Sequence, residues 1–264
     1  MLENDSPKRF AFFIEYDGTD YSGWQRQKAD LKTIQGEVEN AAQSFFGVPL
    51  TIDGASRTDA GVHARAQLCA LTIRHPITSE GFAKVLNRRL PQTIAVRRAR
   101  QVSLDFAPRF ALDEKTYRYA LFQDKLERPL VRRFATRTQF ELDTVSMQDA
   151  AQYLIGHHDF TSFAASDHQS QTTMRTISKI SVHRDADNLT KIMVTGTAFL
   201  KQMVRNIVGS LIEVGRGKRQ PSWMAEVLKR KSRQSAGPTA PPQGLTLWQC
   251  KVRWSPESES EFYP

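Results

Sequence analysis

Cysteine is nearly missing from this chain of 264 residues: only Cys69 and Cys250 occur, each in a strand-like apolar run with no neighbouring cysteine. That spacing excludes a cysteine-rich metal centre or a paired redox motif and leaves two buried thiols as the expectation. Long apolar runs are missing too. Nowhere do about 18 consecutive apolar residues occur, and residues 1–8 carry no apolar signal segment, so no membrane partner is expected and a cytoplasmic, reducing location is. Asn188-Leu189-Thr190 fits a glycosylation sequon, but without secretion it has no route to the modifying enzyme. Glycine-rich phosphate cradles are absent: Gly215-Arg216-Gly217-Lys218 lacks the upstream glycine and the following hydroxyl residue, so no nucleotide cofactor is indicated. Acidic residues fall short of basic ones, 28 against 37, and the net charge of +9 creates a field that draws in polyanions. Nucleic acid is the leading partner.

What is present is an ordinary globular composition, 40% hydrophobic and 25% charged, long enough for one large domain or two of about 130 residues. Alternating Phe10, Phe12, Ile14 and Tyr16 predict a half-buried strand that ends at the turn Asp17-Gly18-Thr19. Thr33 caps a predicted helix with Ile34, Val38, Ala41, Ala42 and Phe45 on one face, stopped by Gly47. Residues 50–55 and 67–74 read as strands around a loop over 57–64, followed by a helix over 79–90 closed by Pro91 and a strand over 94–102. Residues 106–108 read as a passage between halves. The second half repeats the rough order: a strand over 115–122, a helix over 145–155, strands over 177–184 and 191–197. Leu200, Met203, Val204, Ile207, Val208, Leu211 and Ile212 then form a continuous helical stripe. A basic helix over 222–230, a Pro/Gly-rich stretch over 237–244, a strand over 245–254 and an acidic tail after Ser255 complete the chain. The fold class is α+β, with two pseudo-symmetric halves, each a mixed or antiparallel sheet with helices on one face. The predicted division is 1–105, carrying the aspartate loop, and 106–264.

The loop Arg57-Thr58-Asp59-Ala60-Gly61-Val62-His63-Ala64 gathers a cation, a carboxylate and an imidazole, the combination loops carry where chemistry happens. On its own, Asp59-Ala60-Gly61 also reads as a plain turn with Arg57 on the surface. A metal site from Asp53, Asp59 and His63 lacks further ligands at a helpful spacing, so no metal is expected. His157-His158 reads as a turn at a helix end.

That loop resembles the signature of the tRNA pseudouridine synthase A (TruA) family. Further blocks resemble the family's in its order: Tyr16-Asp17-Gly18-Thr19-Asp20-Tyr21-Ser22-Gly23-Trp24-Gln25-Arg26-Gln27, Lys115-Thr116-Tyr117-Arg118-Tyr119, His158-Asp159-Phe160, Met203-Val204-Arg205-Asn206-Ile207-Val208-Gly209 and Ala236-Gly237-Pro238-Thr239-Ala240-Pro241-Pro242. The resemblance runs from about residue 9 to 254. Ser56 stands where the family usually has glycine, and Ala107-Pro108 replaces the more usual pair before Arg109-Phe110.

The resemblance implies the pseudouridine synthase fold and isomerisation of uridine to pseudouridine in the tRNA anticodon stem-loop, at positions 38, 39 and 40, without a cofactor. It implies that Asp59 is the nucleophile, or a base on the ribose, that Tyr117 stacks on the base where the C5 proton leaves, and that Arg205 pairs with Asp59. Substrate-binding residues would be Arg57, which fills the space left by the extruded base, with His63, Tyr117, Arg26 and His158. Phosphate contacts would come from Arg88, Arg89, Arg216, Lys218 and Arg219. A homodimer is implied as well. The alternatives are a non-catalytic RNA-binding or tRNA chaperone protein, which has no need of Asp59, Tyr117 and Arg205 together, and a pseudouridine synthase acting on another RNA.

Overall fold

The computed structural model describes residues 6–27 and 31–253. Trp254, at the end of the predicted last strand, and the predicted acidic tail lie outside these residues. The chain forms two compact units, one from Met1–Asp113 with Leu247–Pro264, the other Glu114–Thr246. The division therefore falls later than residue 105. The last strand, Leu245–Val252, pairs with a strand of the first unit, which sequence order does not reveal.

In the first unit, β1 (Lys8–Tyr16) is followed by α1 (Ile34–Phe46), β2 (Asp53–Gly54), β3 (His63–Ile73), α2 (Ser79–Asn87) and β4 (Ile94–Val102). The strand order is β4-β1-β3, with β2 also on β3 and the strand Leu245–Val252 on the far side of β3. Both β1 pairings are antiparallel. Because β1 is central, it is buried on both faces: Ala11 and Phe13 are as inaccessible as Phe10, Phe12 and Ile14. The predicted half-buried alternation is thus overridden by sheet position. Phe10 stacks on Phe82 of α2 at 4.8 Å between ring centroids, and Phe12 tilts onto the same ring at 5.3 Å. Thr33 caps α1 by accepting from the Gly36 amide, and the left-handed Gly47 ends it. The predicted strand over 50–55 shrinks to β2, while helix 79–90 stops at Asn87 with Arg88 as its cap.

The second unit contains most of β5 (Leu112–Gln123), then β6 (Thr136–Thr138), α3 (Thr144–Gln152), β7 (Gly156–Asp159), β8 (Met174–Arg184), β9 (Leu189–Gly196), α4 (Met203–Gly215) and α5 (Trp223–Arg230), before β10 (Leu245–Val252). The order is β5-β9-β8-β7, antiparallel at each step, with β6 parallel on β5. His157 and His158 are not a turn after a helix: they lie in β7, paired with Thr176 and Arg175. Four residues starting with glycine are too short to show an alternation. Met203, Val204, Ile207, Val208 and Leu211 of the predicted stripe are buried in α4, whereas Leu200 precedes the helix and Ile212 is half-buried; Asn206, Gly209 and Ser210 are buried as well, which makes this helix inaccessible almost all round. The mixed α+β class stands.

Candidate active site

The aspartate loop is held from both flanks by its own unit. Upstream, the Ala55 amide donates to the Leu68 carbonyl at 2.9 Å, and the Gln67 side-chain amide donates to the Ser56 carbonyl. The Thr58 hydroxyl bonds the Tyr16 phenol at 2.8 Å, and the Thr58 carbonyl accepts from the Trp24 amide at 3.1 Å. Downstream, the Val62 amide closes a turn onto the Asp59 carbonyl at 3.1 Å, and the Gly61 amide donates to Tyr21. Tyr16, Tyr21 and Trp24 are all buried, so the loop rests on rigid aromatics rather than on water. Asp59 itself is half-buried and Arg57 is exposed. A scaffold of this kind holds the Asp59 carboxylate in one place.

Gly23 shows how close the packing is. Its φ is +92°, and a Cβ there would come within 2.7 Å of the Thr58 carbonyl oxygen and 3.2 Å of the Asp59 carbonyl carbon. Ser56, by contrast, is not among the residues with positive φ, so its side chain is carried without backbone strain.

The ring of His63 is buried, and its Nδ1 accepts from the Gly18 amide at 3.0 Å, which leaves the ring proton on Nε2. The 3.2 Å approach of Asp17 to the same nitrogen is then a contact between acceptors rather than an ion pair, and the Asp17 carboxylate is occupied by the Thr19 amide and hydroxyl at 3.0 and 2.6 Å. His63 therefore latches the start of β3 to the Asp17-Gly18 turn. Arg26 approaches Glu39 at 2.9 Å, and that buried carboxylate also accepts from Gln35 and the Ile52 amide. Asp53, a member of the conceivable metal set, pairs with Arg9 at 2.5 Å. Among the described residues no group of three His, Cys, Asp or Glu is placed to hold a metal ion.

Tyr117, Arg205 and His158 belong to the second unit. Tyr117 lies on β5 opposite Val194, 7% exposed, with its ring edge-on to Phe199 at 5.1 Å. Arg205 sits in the first turn of α4. Its Nε donates to the Ala240 carbonyl at 2.8 Å, and the Ala240 amide returns a bond to the Arg205 carbonyl at 3.1 Å. The helix is entered through Gln202 at φ +59°, a left-handed conformation that costs about 1–2 kcal/mol outside glycine. It is sustained by the Ala165 amide on the Lys201 carbonyl and by the Asn206 amide on the Gln202 carbonyl. Burial pushes the Tyr119 phenol well above its ordinary range, against the smaller opposing pulls of its Thr136 hydrogen bond and the Arg205 charge; it stays a neutral donor, 2.8 Å from the Pro241 carbonyl. Strand order separates His158 on β7 from Tyr117 on β5 by two strands, about 14 Å at sheet spacing. Its Nε2 donates to the Ile155 carbonyl at 2.9 Å.

Sequence reasoning passed over Gly23, Trp24 and Tyr16 as supports of the loop, although all three lie in a motif block. It also passed over the polar contacts of Asn206, Ser210 and Arg233 with Thr239 and Gly237, for which Arg233 carries no motif signal at all.

The family model described as tRNA pseudouridine synthase matches residues 12–111 and 150–251. Proteins named tRNA pseudouridine synthase A from Brevibacillus brevis and Acetivibrio thermocellus are each 40% identical to this chain, over 92% and 89% of it and 98% and 95% of theirs. One of the same name from Myxococcus xanthus is 39% identical over 96% of this chain and 95% of its own. With Asp59 on its pinned loop in one unit, Tyr117 and Arg205 in the other, and these matches spanning both, the chain belongs to the tRNA pseudouridine synthase family.

Proposed function

We propose that this protein isomerises uridine to pseudouridine in the anticodon stem-loop of tRNA, at positions 38, 39 and 40, acting in the cytoplasm as a homodimer. The observation that carries the proposal is the match to tRNA pseudouridine synthase A relatives over nine-tenths of the chain or close to it. The reaction breaks the bond from N1 to C1′, turns the base and joins C5 to C1′; the C5 hydrogen leaves as a proton and N1 takes one up. No oxidation or net hydrolysis occurs, so side chains suffice.

Asp59 is the nucleophile, paired with a cation from the second unit. Arg205 supplies that charge. Tyr117 stacks on the uracil and presents its hydroxyl where the C5 proton departs. Arg57, exposed at the loop's edge, enters the space the extruded base leaves. Arg26 and His158 meet the RNA away from the reacting ring, and His63 contributes by fixing the loop. The net charge of +9 supports phosphate contacts along the rest of the surface.

The test is tritium release from tRNA carrying uridine labelled at C5, with Asp59→Asn alongside the wild type. The substitution removes the reacting charge and little volume, so release should vanish while tRNA binding persists. Turnover retained by the variant would remove Asp59 from the chemistry; no release by either protein on unmodified tRNA would leave an RNA-binding protein without this activity.

A further inference from the structure

The guanidinium of Arg233 is a feature of the second unit that a scaffold alone does not call for. It is partly buried, desolvation lowers its affinity for its proton, and its contacts all go to neutral oxygens: the Gly237 carbonyl at 2.9 Å, Asn206 Oδ1 at 3.1 Å and the Thr239 hydroxyl at 2.9 Å. Among the described residues no carboxylate pairs with it. Withdrawing a cation from water without a counter-charge is costly, and an apolar side chain of similar volume would hold two segments together at less expense. What an apolar side chain lacks is the planar fork that fixes several acceptors at set angles.

Those acceptors belong to two segments that meet at Arg205. Asn206, its neighbour on α4, is fully buried; it donates to the Phe163 carbonyl at 2.7 Å and accepts from both Arg233 and Thr239. Thr239 is a relay, its hydroxyl accepting from Arg233 and donating to Asn206 at 2.7 Å. The Gly237 amide donates to Ser210 Oγ at 2.9 Å, and Tyr119 holds the Pro241 carbonyl at 2.8 Å. Residues 237–241 lie so close to the helix that a Cβ on Gly209 would fall 1.7 Å from the Pro238 oxygen. Within this segment sits Ala240, whose carbonyl takes the Nε hydrogen of Arg205. Once Nε is held, the plane of the guanidinium is set, and with it the direction in which Nη1 and Nη2 point.

Resting on the role proposed for Arg205, we infer that Arg233, through the Thr239 hydroxyl and Asn206, is a positioning residue for the isomerisation: it fixes the Ala240 carbonyl and so aims the Arg205 guanidinium. It touches neither base nor ribose. Its contribution is realised only when Arg205 must be in place, which is the chemical step.

The informative variant is Thr239→Val, which keeps the volume and deletes the relay, with Thr239→Ser as its rescue. Steady-state tritium release should show kcat lowered roughly ten- to a hundredfold in Thr239→Val, the range that small misplacements of catalytic groups produce, with KM held. Thr239→Ser should recover kcat to within about twofold. In an Arg205→Lys background the Val substitution should lower kcat no further, because the group it aims is gone. If Thr239→Val does not fold, Arg233→Lys keeps the charge without the fork and reads the same step. A wild-type kcat in Thr239→Val, an equal loss in Thr239→Ser, or a loss that adds in full to that of Arg205→Lys would each overturn the inference. Failure of the wild type to release tritium would instead sink the functional proposal beneath it.

Discussion

Replacing Gly23 with alanine tests whether the placement of Asp59 depends on the packing beneath it. Two costs oppose the substitution. At φ +92° an alanine pays about 1–2 kcal/mol for the left-handed backbone. Its Cβ would also stand 2.7 Å from the Thr58 oxygen where ordinary contact begins at 3.4 Å, so the backbone must give by the difference, 0.7 Å. The three nearest atoms are all backbone, of Thr58, Asp59 and Ala60, so no flexible side-chain end can absorb the shift and the carboxylate proposed to react moves with it. A displacement near 1 Å costs about a hundredfold in rate, so kcat should drop between roughly ten- and a hundredfold, about 1.4–2.7 kcal/mol of barrier. The control is Gly47→Ala, also at positive φ, +73°, but with nothing within 4 Å of the new Cβ. It carries the strain without the collision. The assay is tritium release at saturating tRNA, with thermal melting of each variant. Gly23→Ala should lose turnover and Gly47→Ala should lose only stability, about 1 kcal/mol. If Gly23→Ala turns over like the wild type while melting earlier, the packing under the loop does not govern catalysis.

Two further outcomes concern stability. Phe82 is fully buried and stacks on Phe10, so Phe82→Ala should cost about 3–5 kcal/mol in denaturant unfolding; a loss below about 1 kcal/mol would mean that this cluster does not anchor α2. Asp159 is held well below the usual carboxylate range by the hydroxyls of Thr161 and Thr173, with Lys231 adding to the effect. A carboxyl depressed in the folded state stabilises above its unfolded pKa, about 4, and that stabilisation fades as pH falls through the lower folded value. Asp159→Asn should therefore cost about 1 kcal/mol at pH 7, since the site is partly solvated, and the gap to wild type should narrow below about pH 4. A gap that is constant from pH 7 to pH 3 would rule out this linkage.

Most of the helices were legible because their signals are local. Thr33 and Gly47 bracket α1 within one segment, and the stripe of α4 repeats along a single face. Strand ends and strand burial were less so. The exposure of Ala11 and Phe13 depends on which strands flank β1, and β7 has meaning only through its pairing with β8. For the site, the aspartate loop was visible as a motif, and Tyr117 and Arg205 entered through the family's blocks. Their supports were not, since a hydrogen bond from Arg233 to Asn206 joins residues 27 apart and leaves no periodic trace.

The sequence by itself determined the chemical inventory: Asp59 with Arg57 and His63 in one motif, a basic net charge and the family those motifs mark. Local chemistry settles these, because a side chain's reactivity and a turn's residues are read without knowing what lies nearby. Only the tertiary structure decided which groups are available for chemistry and which serve as scaffold. It committed His63 to the Gly18 amide, turned Gly23 into the floor of the aspartate loop and tied Arg205 to Ala240. Those outcomes depend on distances of about 3 Å between residues far apart in the chain, and such distances exist only once the core has set the backbone.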